Sequence, residues 1–260
     1  MRLSWKLGRV AGIDLFLHPS ALLIFWIVSR SFDRPIRAVP LVVGLFASIV
    51  LHELGHALAA RRHGIGTADI TLYLFGGVAR LERFPRSAGP ELLIALAGPA
   101  VNLAIVAALA AIAGLSWSLA PGLAGLAMNL LFMNLALAAF NLLPIFPMDG
   151  GRVLRALLSG WLGRLRATEV AANVGQALAV VGGLAFLLAG NWQAAILAVF
   201  VGMQAGLERA QVRAEGRPGG FGSTFGGVPV PPRGFRWTNR GDGVWRLVPT
   251  AMAGGERSWN

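Results

Sequence analysis

The chain of 260 residues is rich in apolar side chains: 55% are hydrophobic, only 13% are charged, and the mean hydropathy is +0.64. Soluble domains carry about 25% charged residues, so this composition excludes an ordinary soluble domain and indicates a membrane protein. The formal net charge is +11, but the basic residues do not form a stripe interleaved with aromatic residues, which argues against nucleic-acid binding. The sequence has no cysteine, which excludes disulfides, thiol catalysis and cysteine-ligated metals.

The N-terminal residues 1–18 are predicted to form an interfacial segment, a short strand or hairpin at the membrane surface. A first span follows at Ser20–Ser29, which is short unless flanking apolar residues such as Phe16 and Leu17 extend it. A cleaved signal peptide is the alternative, but residues 30–34, with the charged Arg30, Asp33 and Arg34, stand where a small-residue cleavage site should be.

Further apolar segments follow in residues 19–210. The second span begins at about Pro40, a residue suited to a first helical turn. Four later segments contain no Asp, Glu, Lys, Arg or His, and the first three reach the ~20 residues that cross a hydrocarbon core: Leu92–Gly114, Leu123–Leu143, Val170–Gly190 and Trp192–Leu207. The sequence therefore predicts an all-α polytopic membrane protein with about six transmembrane helices.

Two regions depart from the helical pattern. Between the second and third spans, the β-prone run 69–75 ends at Gly76 and Gly77 and predicts a small membrane-associated β element. Residues 211–260 are rich in Gly and Pro and predict a disordered cytoplasmic tail.

The distribution of basic residues predicts the orientation, because Lys and Arg concentrate in cytoplasmic loops. With six crossings and both termini inside, 20 of the 23 Lys and Arg residues fall on the inner side, and only Arg30, Arg34 and Arg37 fall outside. We therefore expect an integral membrane protein whose termini face the cytoplasm and whose positive charge attracts anionic lipid.

The second span ends in the motif His52-Glu53-Leu54-Gly55-His56. Residues four apart lie on one face of a helix, so His52 and His56 can both reach a metal, while Glu53 can approach a bound water. An ionisable side chain at the centre of a bilayer costs about 2.5–3.5 kcal/mol. A zinc ion would compensate for three such residues at this depth.

Asp149 is the candidate third ligand, since catalytic zinc takes three protein ligands. It lies in the stretch 141–151, where two prolines and two glycines should unwind the chain. An interfacial Asp at a helix end is the alternative. In the six-span arrangement, His56 and Asp149 both fall near the cytoplasmic ends of helices that run in the same direction, so they can meet.

The motif H-E-L-G-H at 52–56 and the pattern N-x-x-P-x-x-P-M-D-G-G at 141–151 together resemble the site-2 protease family of intramembrane zinc metalloproteases. The resemblance covers roughly residues 1–210 and includes Gly98-Pro99 with Asn102. It implies one Zn²⁺ per chain held by His52, His56 and Asp149, with Glu53 as the general base and Asn141 near the substrate. Asn141 could equally satisfy backbone carbonyls freed by Pro144.

The resemblance implies cleavage of peptide bonds within or near transmembrane segments, in single-span membrane-protein substrates, as in regulated intramembrane proteolysis. The active unit could be the single chain or a homo-oligomer. Because a helical substrate must unwind before hydrolysis, an extended segment could add to the strand at 70–75. The predicted substrate-binding residues are Ile70, Leu72, Leu74, Gly76 and Gly77.

The same residues could serve two other functions. In a zinc or proton-coupled transporter, polar groups usually line the whole crossing, whereas here they concentrate at one depth. A non-catalytic scaffold would have little reason to keep the complete motif together with Asp149. His18 and His63 are expected to be interfacial histidines and not metal ligands.

Overall fold

The computed structural model describes residues 4–30, 32–73, 76–83, 85 and 87–215, followed by four short strands. The chain divides into two compact units, Met1–Glu208 and Arg209–Asn260. The elements up to residue 215 are mostly helical, as predicted. They are β1 (Trp5–Val10), β2 (Ile13–Leu17), α1 (Leu22–Ser29), α2 (Val39–Arg62), β3 (Thr67–Tyr73), β4 (Gly76–Leu81), α3 (Ala88–Ser116), α4 (Pro121–Asn141), α5 (Asp149–Leu162), α6 (Arg164–Leu188) and α7 (Trp192–Glu215).

Among the described residues, four helical segments are long and apolar enough to cross a membrane: Pro35–Arg62, Ala88–Ser116, Pro121–Asn141 and Arg164–Leu188. Only 22–39% of the most apolar window of each segment is buried inside the protein. Most of their apolar side chains therefore face outward, as helices in a lipid solvent do.

The first predicted crossing is shorter in the structure than the sequence indicated. Helix α1 has 8 residues and follows a single 3-10 turn at Pro19–Ala21. Phe16 and Leu17, which were expected to extend it, lie in β2 instead, where the backbone pairs with β3. That part of the prediction is wrong, because residues already in a strand ladder cannot also lengthen the helix.

The strand predicted between the second and third spans is present as β3, and it belongs to a larger sheet than expected. The sheet has four strands in the order β1-β2-β3-β4. The N-terminal hairpin joins it through a parallel ladder that pairs Asp14 with Asp69 and Leu17 with Leu72. The other two pairings are antiparallel. The N-terminal segment and the β element are thus one layer.

Helix α2 packs against one face of this sheet. The shared core consists of Ile13, Leu15, Leu54, Ala57 and Ile70, all buried. The strand residues share a face because side chains alternate along a strand, and Leu54 and Ala57 are neighbours at helical spacing. This packing fixes the end of α2 that carries the H-E-x-x-H motif against the sheet.

In the second unit, the structure describes two antiparallel pairs of strands. Thr224–Phe225 pairs with Val228–Pro229, and Phe235–Asn239 pairs with Trp245–Pro249. The disordered tail predicted for residues 211–260 lies largely outside the described residues.

Candidate metal centre

Three buried side chains from two helices point donor atoms at one another. The ligand atoms of His52, His56 and Asp149 all lie within 4.8 Å. The Nε2 atoms of the two histidines are 3.1 Å apart, and Asp149 Oδ2 lies 3.2 Å from His52 Nε2 and 3.1 Å from His56 Nε2. The sequence placed these residues at similar depth, and the fold brings them into contact range.

The spacing of the three donors fits a single zinc ion. Zinc–ligand bonds of about 2.0–2.1 Å at tetrahedral angles put neighbouring ligand atoms about 3.3 Å apart. The three measured separations are close to this value and nearly equal. Two imidazoles and a carboxylate also match the donor types of catalytic zinc sites, which keep a fourth position open.

Helix α3 lies against both histidines and orients His56. His56 Nδ1 lies 2.7 Å from the carbonyl oxygen of Ile94, so its protonated form would donate there and leave Nε2 free for a metal. Gly98, one turn further on, faces both imidazoles. A Cβ at this position would collide with His56 Nε2 and come within 2.7 Å of His52 Cε1. The sequence pointed to Gly98 only as a family match, and Ile94 was missed because a backbone partner leaves no sequence signal.

Asp149 is the first residue of α5 and follows the predicted irregular segment. The two glycines after it permit close packing of the first turn of α5. A Cβ on Gly150 would collide with the carbonyl oxygens of Leu142 and Leu143, and one on Gly151 would lie 2.8 Å from Phe146 N. The D-G-G sequence thus lets α5 begin directly against the preceding loop, with the carboxylate aimed at the histidines.

The Asp149 carboxyl is buried and directs one oxygen, Oδ2, at the Nε2 atoms of both histidines. A metal-binding carboxyl must be deprotonated, and a metal-binding imidazole must be neutral. A cation held between the three groups would compensate for the burial of the carboxylate charge.

Glu53 is half-buried and lies at the edge of the same region. Its Oε2 accepts a hydrogen bond of 3.2 Å from the backbone N–H of Ala79 in β4. Since Glu53 adjoins His52 in the helix, this bond links the motif directly to the edge strand of the sheet.

Other predicted site residues lie outside the donor cluster. Asn141 is half-buried at the end of α4, and its Nδ2 donates 3.0 Å to Leu137 O, not to a carbonyl freed by Pro144. His18 Nδ1 accepts from Ser20 N at 3.2 Å. His63 is exposed at the C-terminus of α2. Neither histidine belongs to the donor cluster.

The predicted substrate-binding residues divide into three groups. Ile70 and Leu72 lie in β3 and are only 0% and 2% exposed. Gly76 and Gly77 begin β4, the strand that contacts Glu53. Leu74 lies outside the described residues.

Replacing Gly98 by Ala is expected to weaken zinc binding at least ~10-fold, because a methyl group there must displace both imidazoles, a larger change than the loss of an outer-shell partner. Zinc affinity would be measured by chelator competition on folded, detergent-purified protein. Gly114→Ala is the control, since a Cβ there, in the same helix, meets nothing within 4 Å. Unchanged zinc affinity in Gly98→Ala would contradict the geometry of the site.

Comparison with known proteins agrees with this geometry. The family model for peptidase family M50 matches residues 40–130 and 118–182. A zinc metalloprotease of Methanocaldococcus jannaschii is 36% identical over 217 residues, covering 83% of this chain and 63% of the relative. Rip3 of Mycobacterium tuberculosis is 37% identical over 222 residues, covering 78% of this chain and 56% of the relative. The chain thus spans less than two thirds of the length of these curated relatives.

A solved structure is also similar. The site-2 protease from Methanocaldococcus jannaschii superimposes with a TM-score of 0.60 at 36% identity, covering 79% of this chain and 95% of that one. The matched family region contains both the H-E-x-x-H motif and Asp149. Together, the sequence matches, the shared fold and the donor cluster show that the chain belongs to peptidase family M50, the family of the site-2 proteases.

Proposed function

We propose that this protein is an intramembrane zinc metalloprotease that hydrolyses peptide bonds within or near the transmembrane segments of membrane proteins. The observation that carries the proposal is the meeting of His52, His56 and Asp149 within 4.8 Å, next to Glu53. These three residues would hold one zinc ion per chain. When bound, zinc lowers the pKa of water and polarises a carbonyl group.

Glu53 is the proposed general base. Glu53 is next to His52 in α2, and Ala79 N–H restrains one of its carboxylate oxygens at 3.2 Å. Glu53 would take a proton from the attacking water and deliver it to the amine that leaves. Its partial exposure is compatible with both transfers.

The proposed site for the substrate backbone is the free edge of β4. Strand β3, where the sequence suggested strand addition at Ile70 and Leu72, is paired with β2 on one side and β4 on the other. That suggestion is therefore corrected, since a strand with two neighbours cannot accept a third. Strand β4 ends the sheet and adjoins Glu53.

The backbone of β4 has the polarity that strand addition needs. Ala79 N–H bonds Glu53, so it points away from β3. Because alternate residues of an antiparallel strand point the same way, the polar groups of Gly77 also face the open edge. A Cβ on Gly77 would lie 2.6 Å from Glu53 Cγ, so glycine leaves room for the base. An extended substrate could then bind the N–H and carbonyl of Gly77 and the carbonyl of Ala79, while the N–H of Ala79 stays bonded to Glu53.

Disulfide cross-linking tests whether a substrate binds along this edge of β4. In the Glu53→Gln background, Val78→Cys, which is half-exposed on β4, is expected to form disulfides with a single-span substrate at every second scanned position. The chain contains no other cysteine to interfere. Val10→Cys is the control, because Val10 is 42% exposed on β1, at the opposite edge. Equal cross-linking at both edges would refute substrate addition to β4.

We also propose six crossings, of which the first is the short apolar segment Pro19–Ser29 across a locally thinned bilayer and the last is α7, with the sheet at the membrane and both termini and the metal centre toward the cytoplasm. The excess of Lys and Arg in the inner loops supports this orientation. A membrane-impermeant maleimide added to intact cells should label Arg37→Cys and spare Arg62→Cys, two exposed positions near opposite ends of α2. Labelling of Arg62→Cys but not of Arg37→Cys would show that the protein has the opposite orientation in the membrane.

Transport of zinc or protons is not favoured. The M50 family match and the named zinc metalloprotease relative both indicate hydrolysis. The ionisable groups of the metal centre also concentrate at one end of α2 and do not follow the whole crossing.

A further inference from the structure

A second buried cluster of charges lies near the metal centre and has no part in the chemistry proposed above. It consists of Arg155, whose side chain is 2% exposed, Glu91, which is 6% exposed, and Glu208, which is 30% exposed. Arg155 Nε donates 2.7 Å to Glu91 Oε1, and Arg155 Nη1 donates 2.5 Å to Glu208 Oε1. One guanidinium therefore bridges two carboxylates.

The cluster, here called the Arg155 clamp, joins the three helices α3, α5 and α7. Glu91 lies in the first turn of α3, one turn before Ile94, whose carbonyl oxygen is 2.7 Å from His56 Nδ1. Arg155 therefore bonds α3 directly beside the turn that orients a histidine. Gly98, which faces both imidazoles, lies one turn after Ile94 in the same helix.

Arg155 itself lies in α5, the helix that begins with Asp149. Its guanidinium carbon also lies 5.1 Å from the centre of the Phe146 ring, in the loop just before Asp149. The clamp thus holds both the helix and the loop that set the position of the Asp149 carboxylate. His56 lies on α2 and contacts Ile94 of α3, so the 3.1 Å between Asp149 Oδ2 and His56 Nε2 depends on how α2 and α5 are each held against α3.

We propose that Arg155 is a positioning residue for the metal centre, which fixes the spacing of α3 and α5 so that Asp149 meets the two histidines. The inference rests on the zinc site proposed above. From the sequence, Arg155 was predicted only to be one of the basic residues on the cytoplasmic side. The sequence signal for a buried Arg155 was its position four residues after Gly151, which puts both residues on the packed face of α5.

A purely structural role and a positioning role predict different zinc affinities for a folded protein that lacks the cluster. Only the positioning role predicts weaker zinc binding. Apolar residues can often replace a buried ion cluster without loss of stability, whereas removal of one partner leaves an uncompensated charge. The informative variant therefore neutralises the whole cluster. In Arg155→Met/Glu91→Met/Glu208→Gln, packing can be retained while the directional bonds that fix the spacing are lost.

The experiment compares this triple variant with Arg166→Gln, which removes an exposed arginine from α6. Full-length, detergent-purified proteins would be assayed for unfolding temperature, for zinc affinity by chelator competition, and for the visible spectrum of the cobalt-loaded form. We expect the triple variant to bind zinc about 10- to 100-fold more weakly, as outer-shell changes do, with an altered cobalt spectrum. Arg166→Gln should match wild type.

A folded triple variant with zinc affinity within about twofold of wild type, and an unchanged cobalt spectrum, would overturn the inference. If the triple variant does not fold, Arg155→Lys decides, because lysine keeps the charge but lacks the planar fork that reaches both carboxylates. Wild-type zinc affinity in Arg155→Lys would also overturn it. A wild-type protein that binds no zinc would overturn the proposed function itself, and the inference with it.

Discussion

Exchange of Glu53 for glutamine is expected to stop peptide hydrolysis while leaving zinc bound. General acid–base catalysis contributes about 10²- to 10⁴-fold to rate, and glutamine has nearly the shape of glutamate but cannot accept the proton. The amide oxygen can still accept the hydrogen bond from Ala79 N–H, so the local structure should persist. The measurement is cleavage of a single-span substrate by protein reconstituted in liposomes.

The matched control is Glu82→Gln, which changes an exposed carboxylate just beyond β4. This variant should cleave at the wild-type rate. Glu53→Gln protein that retains more than about a tenth of the activity would fall outside the range expected for a lost general base, and another residue would have to move the proton.

Removal of the Asp149 carboxylate is expected to eliminate tight zinc binding and, with it, all cleavage. Asp149→Ala leaves only His52 and His56, whereas catalytic zinc sites use three protein ligands. The loss should exceed the 10- to 100-fold effect that is typical of outer-shell changes. Asp149→Asn separates charge from shape, since it keeps an oxygen in place but cannot neutralise the metal.

Metal content and cleavage would be measured for both Asp149 variants beside Asp33→Asn, an exposed aspartate far from the donor cluster in sequence. Stoichiometric zinc in Asp149→Ala would mean that the third ligand is another residue. Zinc lost from Asp33→Asn as well would indicate that the assay reports folding and not coordination.

The donor set could be predicted from sequence because its physical signals are local. His52 and His56 lie one helical turn apart, and ionisable residues at membrane depth need a partner. Asp149 stood out for the same reason and because prolines and glycines surround it. In the fold, all three meet as the depth argument implied.

Long-range pairing could not be predicted in the same way. The alternation of residues 13–17 is compatible with a strand, but nothing local specifies that this strand joins β3 in a parallel ladder. The same ladder removes Phe16 and Leu17 from the first helix and closes the edge of β3. The edge proposed for the substrate is therefore that of β4, whose place at the end of the sheet is known only from the strand order.

The contacts that support the metal centre could not be predicted from the sequence for a related reason. Arg155 looks like one more cytoplasmic charge until its partners Glu91 and Glu208 are brought to it from distant helices. Ile94 acts through a backbone carbonyl, which every residue has. Such groups become recognisable only once helix packing is known.

The most direct test is the zinc content per chain of wild type, Glu53→Gln and His52→Ala, purified in detergent and matched for folding. A protease site predicts one zinc in wild type and in Glu53→Gln and none in His52→Ala, because Glu53 moves a proton and is not a ligand. Loss of zinc from both variants, or several ions in wild type, would contradict the proposed assignment and favour an ion-transport site.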